Sequence, residues 1–152
     1  MSIDRIFLDA NILFSATYGS PGLNRLWQLA GEKDCLLFAS NYVVEEARRN
    51  LPDSEQIRRL EAYLSKIEIV PDVDPTIPCP IGLPEKDRPV LLTAISIKAD
   101  YLLTGDRVHF GRYFGKIVSG VRICPPRDYL VKSLRKRSKK WKSILFICHQ
   151  FL

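Results

Sequence analysis

Residues 3–9 read Ile3-Asp4-Arg5-Ile6-Phe7-Leu8-Asp9, a short run that ends in three consecutive apolar side chains and stops at an aspartate. Apolar and polar positions do not alternate cleanly. Ile6-Phe7-Leu8 therefore predicts a strand buried on both faces, as in a parallel sheet covered by helices. Further along, Gly19-Ser20-Pro21-Gly22 makes a break, and Leu23, Leu26, Trp27 and Ala30 recur at helical spacing until Gly31. Cys35-Leu36-Leu37-Phe38-Ala39 is a second apolar run, with Ser40 and Asn41 placed to cap a helix that reaches about Asn50 before Leu51-Pro52 closes it. Ile57, Leu60, Ala62, Tyr63 and Leu64 form the next amphipathic pattern, and Ile67 to Val70 reads as a third strand.

Residues 71–85 hold Pro71, Pro75, Pro78, Pro80 and Pro84, which predicts an ordered but irregular crossover loop. From Asp87 a helix begins with Pro89 in its first turn, where a missing amide costs nothing, and continues through Val90, Leu91, Ala94, Ile95 and Ile97. Tyr101-Leu102-Leu103-Thr104 and Gly120 to Cys124 complete the strands. Strands separated by helices predict an α/β chain: a three-layer α/β/α sandwich with a central, mainly parallel sheet of about five strands. Ligands are expected at the carboxyl ends of those strands.

The chain has 152 residues, 46% of them hydrophobic and 26% charged, which fits one globular domain with a single core and excludes a disordered or collagen-like chain. Cys35, Cys79, Cys124 and Cys148 show neither a CxxC pair nor zinc-ligand spacing, and no secretory signal is visible at Met1, so a cytoplasmic setting is expected. The apolar run Ile144 to Cys148 is far short of the roughly 20 residues that span a bilayer, and no membrane partner is expected.

Three acids fall where this topology brings chain segments together: Asp9 after strand one, Asp87 at a helix start, and Asp106 after strand four. A fourth comes from the helix after Ser40, where Glu45 and Glu46 point about 100° apart. The stripe Val43-Val44-Ala47-Leu51 marks the buried face, and Glu46 lies nearer its edge, so Glu46 is favoured. Taken singly, each acid has a simpler role as a cap, a turn residue or a solvated position. Together in one cleft they would repel and raise each other's pKa unless a cation neutralised them, which predicts a hard divalent ion, Mg²⁺ or Mn²⁺.

The segments Ile6-Phe7-Leu8-Asp9-Ala10-Asn11-Ile12-Leu13, Glu45-Glu46-Ala47-Arg48-Arg49-Asn50-Leu51, Lys86-Asp87 and Ala99-Asp100-Tyr101-Leu102-Leu103-Thr104-Gly105-Asp106 resemble the PIN-domain ribonuclease family over roughly residues 3–130. The resemblance implies a metal-dependent endoribonuclease in which Asp9, Glu46, Asp87 and Asp106 are catalytic and hold one or two Mg²⁺ or Mn²⁺ ions. In-line attack on RNA phosphodiesters by an acidified water would leave 5′-phosphates. Asn11, Ser40 and Thr104 match polar positions that orient a carboxylate, water or phosphate in the family, and also suit capping and turns. Val108 stands where the family often has a further acid, which predicts weakened metal binding. His109, alone beside Phe110, reads as structural or solvated, the alternative being an acid–base helper.

Many small stand-alone members of the family resemble toxin components of toxin–antitoxin pairs, which implies a homodimer and an antitoxin-type protein inhibitor that blocks the acidic cleft. Leu23, Trp27, Tyr63 and Leu64 have two readings, packing on the sheet, which is favoured, or an apolar surface for a dimer or partner. Two other functions compete. One is a non-catalytic module of the same fold that binds RNA or protein. The other is a haloacid-dehalogenase-like phosphatase with Asp9 as nucleophile, which Asn11 and Phe110 disfavour because they stand where that family has acids.

The net charge of +6 and pI near 9.3 first suggest a polyanionic partner. Residues 132–152, however, hold seven Lys and Arg and no acid, leaving 16 basic against 17 acidic residues before them. The expected organisation is therefore a nearly neutral nuclease domain over 1–131 and a basic extension over 132–152 with an apolar end. Arg135, Lys136, Arg137, Lys139, Lys140 and Trp141 are its RNA-binding candidates, the cations for phosphates and the indole for base stacking; the equal alternative is a solvated extension whose apolar end, Ile144 to Leu152, docks on the domain, on another subunit or nowhere.

Overall fold

The computed structural model describes residues 3–136. Its strands are β1 (Asp4–Leu8), β2 (Cys35–Ser40), β3 (Glu68–Val70), β4 (Tyr101–Leu103), β5 (Ile117–Val118) and β6 (Val121–Cys124). Its helices are α1 (Ala10–Ala16), α2 (Pro21–Gly31), α3 (Asn41–Asn50), α4 (Ser54–Leu64), α5 (Arg88–Ser96) and α6 across 126–136. Single 3₁₀ turns occur at Glu85–Asp87 and Gly111–Tyr113.

The strands form one sheet in the order β3-β2-β1-β4-β6-β5, parallel except for the β5–β6 pair. Strand β1 lies at its centre, paired with β2 and β4, and Ile6, Phe7 and Leu8 are fully buried, as their unbroken apolar run requires. The expected α/β/α sandwich with a mainly parallel sheet is what the chain forms. A sixth strand was not foreseen. Ser119 and Gly120 both have positive φ, the backbone demanded by a two-residue hairpin turn, and they fold β5 back onto β6. Helix α1 was also not foreseen: it starts directly after Asp9, and its seven residues are too few to show a periodic stripe.

The order of chain segments reverses between β1 and β4, since β2 and β3 lie to one side and β4 and β6 to the other. A crevice opens at the carboxyl end of a parallel sheet at such a reversal. Asp9 leaves β1 there, and Thr104 to Asp106 leave β4 beside it, in the register Leu8 opposite Leu103.

The packing decides between the two roles of the apolar residues on α2 and α4. Leu23 and Trp27 are buried and Tyr63 and Leu64 half-buried, because α2 and α4 pack together. The Trp27 indole donates to the Tyr63 carbonyl at 3.1 Å, and the two rings meet edge to face. Leu23 and Trp27 belong to the core, with Tyr63 and Leu64 packed against it, so most of their apolar surface is taken up within the domain, although Leu23 also reaches the cleft. Helix α6 runs through residue 131, so the expected boundary falls inside a helix. That helix is fastened by the Tyr129 hydroxyl, which donates to Asp4 at 3.0 Å, and by Lys132 Nζ, which donates to the Tyr101 hydroxyl at 2.6 Å. Among the described residues, no helix is long and apolar enough to cross a membrane.

Candidate metal and nuclease site

A cleft of about 1040 Å³ opens at the β1–β4 crevice, and Asp9, Glu46, Asp87 and Asp106 all line it. Each acid arrives by a different route. Asp9 caps α1, its Oδ1 accepting from the Ala10 amide at 2.8 Å. Its Oδ2 accepts from the Thr104 hydroxyl at 2.8 Å and from Asn11 Nδ2 at 3.1 Å. Asn11 Oδ1 in turn accepts from the Gly105 amide at 2.8 Å, so this one side chain ties the end of β1 to the end of β4. Burial pushes the Asp9 carboxyl up to about 6. The Thr104 and Ala10 hydrogen bonds pull against that rise, and the charges of Glu46 and Asp87 add to it.

Glu46 projects from α3 into the cleft, whereas Glu45 points to solvent and pairs with Arg48 at 2.6 Å. The amphipathic stripe of α3 fixes this choice, since Val43, Val44 and Ala47 are buried and Glu46 flanks them. Asp87 closes the 3₁₀ turn before α5, and its side chain makes no capping bond, which sets aside its simpler role. The Tyr42 hydroxyl on α3 donates to the Lys86 carbonyl at 2.7 Å and anchors this turn over the cleft. Burial raises the Asp87 carboxyl above its ordinary range; Lys86 and His109 oppose the rise, while Asp106 and Glu46 reinforce it.

Asp106 begins the turn after β4, where its Oδ1 accepts from the amides of Val108 and His109, each at 3.0 Å. Partial burial raises its carboxyl, but the hydrogen bonds and charge of His109, with the Val108 amide, outweigh burial and hold it below the usual range. This turn also corrects the reading of position 108. Val108 is 85% exposed, so the side chain there points to solvent, and the residue that faces the acids is His109. His109 Nδ1 lies 2.8 Å from Asp106 Oδ2 and 3.1 Å from Asp87 Oδ2, while Phe110 is fully buried and anchors the turn.

The ring hydrogen bond of His109 goes to Asp106, and Asp87 Oδ2, though buried, has no hydrogen-bond donor. A lone histidine in a loop gave no warning of this arrangement; the available signal was its position three residues after a turn aspartate. The secondary polar residues divide. Asn11 and Thr104 hold Asp9, whereas Ser40 is fully buried, caps α3 through the Val43 amide at 3.3 Å and does not line the cleft. Beside the acids the cleft wall is apolar, built by Ile12, Phe14, Leu23, Leu130, Val131 and Leu134, with Lys86 and Arg127 also on its lining. Arg135 and Lys136 are exposed at the end of α6; Arg137, Lys139, Lys140 and Trp141 lie outside the described residues.

No curated protein matches the chain. Among solved structures it is similar to VapBC2 from Rickettsia felis bound to a DNA fragment from their promoter, with a TM-score of 0.56 and 20% identity over 78% of this chain and 96% of that one. That likeness concerns the fold. A PIN-domain family profile matches residues 5–108, the span from β1 to the turn that carries Asp106. The chain belongs to the PIN-domain family.

Proposed function

We propose that the protein is a divalent-metal-dependent endoribonuclease that hydrolyses RNA phosphodiester bonds. The observation that carries this reading is the convergence of four carboxylates on one cleft, with a buried Asp87 oxygen that no protein donor satisfies. A buried anionic oxygen without a donor carries a large desolvation cost, and a cation removes it. The donor set fits a hard ion, because carboxylate oxygens suit Mg²⁺ and Mn²⁺. Asp9, Glu46, Asp87 and Asp106 are the residues that would hold it. When bound, such an ion polarises the scissile phosphate and makes a water acidic enough to attack in line.

The chain's own groups do the remaining work. Asn11 and Thr104 fix the Asp9 carboxylate, so that its orientation is set before substrate arrives. Tyr42 fixes the turn that carries Asp87. Lys86 and Arg127 supply positive charge on the cleft wall, where the backbone of a single strand would run. The basic residues of 132–152 add further phosphate-binding charge, beginning on α6, which itself borders the cleft.

We read the protein further as the toxin of a toxin–antitoxin pair, acting in the cytoplasm as a homodimer and silenced by a protein inhibitor that covers the cleft. The family and the fold shared with VapBC2 support this reading, and the apolar wall beside the acids gives an inhibitor a surface to bury. The test is RNA cleavage with Mg²⁺ or Mn²⁺ by wild type, Asp9→Asn and Asp106→Asn. Cleavage to 5′-phosphate products by wild type alone is expected. Equal activity in all three sinks the assigned site, and metal-independent RNA binding without cleavage favours a non-catalytic module.

A further inference from the structure

We propose that His109 is a metal ligand, and that its nitrogen makes this site select Mn²⁺ and later first-row ions over Mg²⁺. The inference rests on the metal-dependent reading above and names the class of ion that the site takes. One atom each from Asp87, Asp106 and His109 lies within 4.8 Å of the others. His109 Nδ1 stands 2.8 Å and 3.1 Å from the two carboxylate oxygens. Two cis ligands, each about 2.1 Å from one octahedral ion, lie about 3.0 Å apart. The nitrogen thus already stands from each carboxylate oxygen at the separation of two cis ligands on one ion.

An independent observation points the same way. Asp87 is only 6% exposed, and the one of its oxygens that faces His109 has no hydrogen-bond donor. A turn histidine that served only as a hydrogen-bond donor gives its single Nδ1–H to one carboxylate and leaves the other, though 3.1 Å away, without a hydrogen bond, as here. With the proton on Nε2 instead, the Nδ1 lone pair joins both oxygens around one ion, and all three atoms gain a partner. The ring is partly exposed, so water can serve Nε2–H.

Selectivity follows from ligand chemistry. Mg²⁺ prefers an all-oxygen shell and gives up water reluctantly, whereas imidazole nitrogen suits transition metals, whose affinities rise from Mn²⁺ along the first row. Placing nitrogen at position 109 tilts the site toward Mn²⁺ without excluding Mg²⁺. Phe110, buried in the core, and the two amides that bind Asp106 Oδ1 hold the turn so that the ring stays over the carboxylates.

The experiment is pulsed electron paramagnetic resonance on Mn²⁺ added to the full chain, with Mn²⁺ and Mg²⁺ affinities measured by calorimetry on the same samples. The wild type is expected to show coupling of bound Mn²⁺ to an imidazole nitrogen. His109→Ala and His109→Gln should lose that coupling, and their Mn²⁺-over-Mg²⁺ preference should fall about tenfold or more. His149→Ala removes the other histidine and should keep both signals. Mn²⁺ bound without nitrogen coupling in wild type, or coupling that survives His109→Ala, overturns this inference and leaves the metal-dependent reading standing. No Mn²⁺ binding at all overturns both.

Discussion

The Thr104 hydroxyl donates to Asp9 Oδ2 at 2.8 Å, joining residues 95 apart in sequence across the seam between β1 and β4. The same hydroxyl oxygen accepts from the Asp106 amide at 3.1 Å, so Thr104 sets the position of two acids at once. Thr104→Val keeps the shape and removes the donor. It is expected to cost about 1–3 kcal/mol of stability, because a fully buried carboxylate partner is left short of a donor. It should also move the Asp9 carboxyl above its present value of about 6, since this hydrogen bond pulls it down. Denaturant titration and the pH profile of cleavage check the two effects, and Thr104→Ser should restore both.

A pH-dependent metal effect follows from Asp9. Its folded-state pKa of about 6 lies above the ordinary 3.8, so the folded protein binds the extra proton between those values, and its contribution to stability falls as pH rises through that window. The cost is absent below about pH 4, complete above about pH 6, and of order 3 kcal/mol. Asp106, held below its ordinary range, opposes this with stability that is lost toward acid. A divalent ion offsets the Asp9 cost only where it exists. The rise in Tm on adding Mn²⁺ should therefore grow from about pH 4 to above pH 6, and a shift independent of pH contradicts the assignment.

Glu45 and Glu46 are adjacent and chemically alike, yet they face different surroundings. Glu46→Gln should abolish metal-dependent cleavage and reduce the calorimetric affinity for Mn²⁺. Glu45→Gln removes only an exposed pair with Arg48, worth under about 1 kcal/mol, and should leave turnover within about twofold.

The Tyr42–Lys86 hydrogen bond links α3 to the turn that carries Asp87. Tyr42→Phe should lower stability by about 1 kcal/mol. It should lower kcat more than it raises KM, because it loosens a group that acts on the reacting phosphate rather than on the bound strand. Equal loss of both parameters with a large fall in Tm assigns Tyr42 a purely structural role.

Ending the chain after Lys136 preserves α6 and its hydrogen bonds to Asp4 and Tyr101 while removing Arg137, Lys139, Lys140 and Lys142. If these cations hold RNA, affinity should drop and the slope of log K against log salt should flatten by about 0.7 for each phosphate that is no longer neutralised. An unchanged slope removes the extension from the binding surface.

The sequence by itself determined the layers. Burial on both faces leaves an unbroken apolar run such as Ile6-Phe7-Leu8, and burial on one face leaves a helical stripe such as Val43-Val44-Ala47; both are local consequences of where water is excluded. The same stripe also favoured Glu46. Elements too short to repeat a pattern, the seven-residue α1 and the two-residue β5, left no comparable mark. Only the tertiary structure decided that α4 covers Trp27 of α2, that Ser40 stays out of the cleft, and that His109 stands between Asp87 and Asp106. Periodicity reports which face of an element is dry, whereas a site is made by side chains distant in sequence that meet at strand ends. Their meeting depends on strand order and turn geometry, which no single segment encodes.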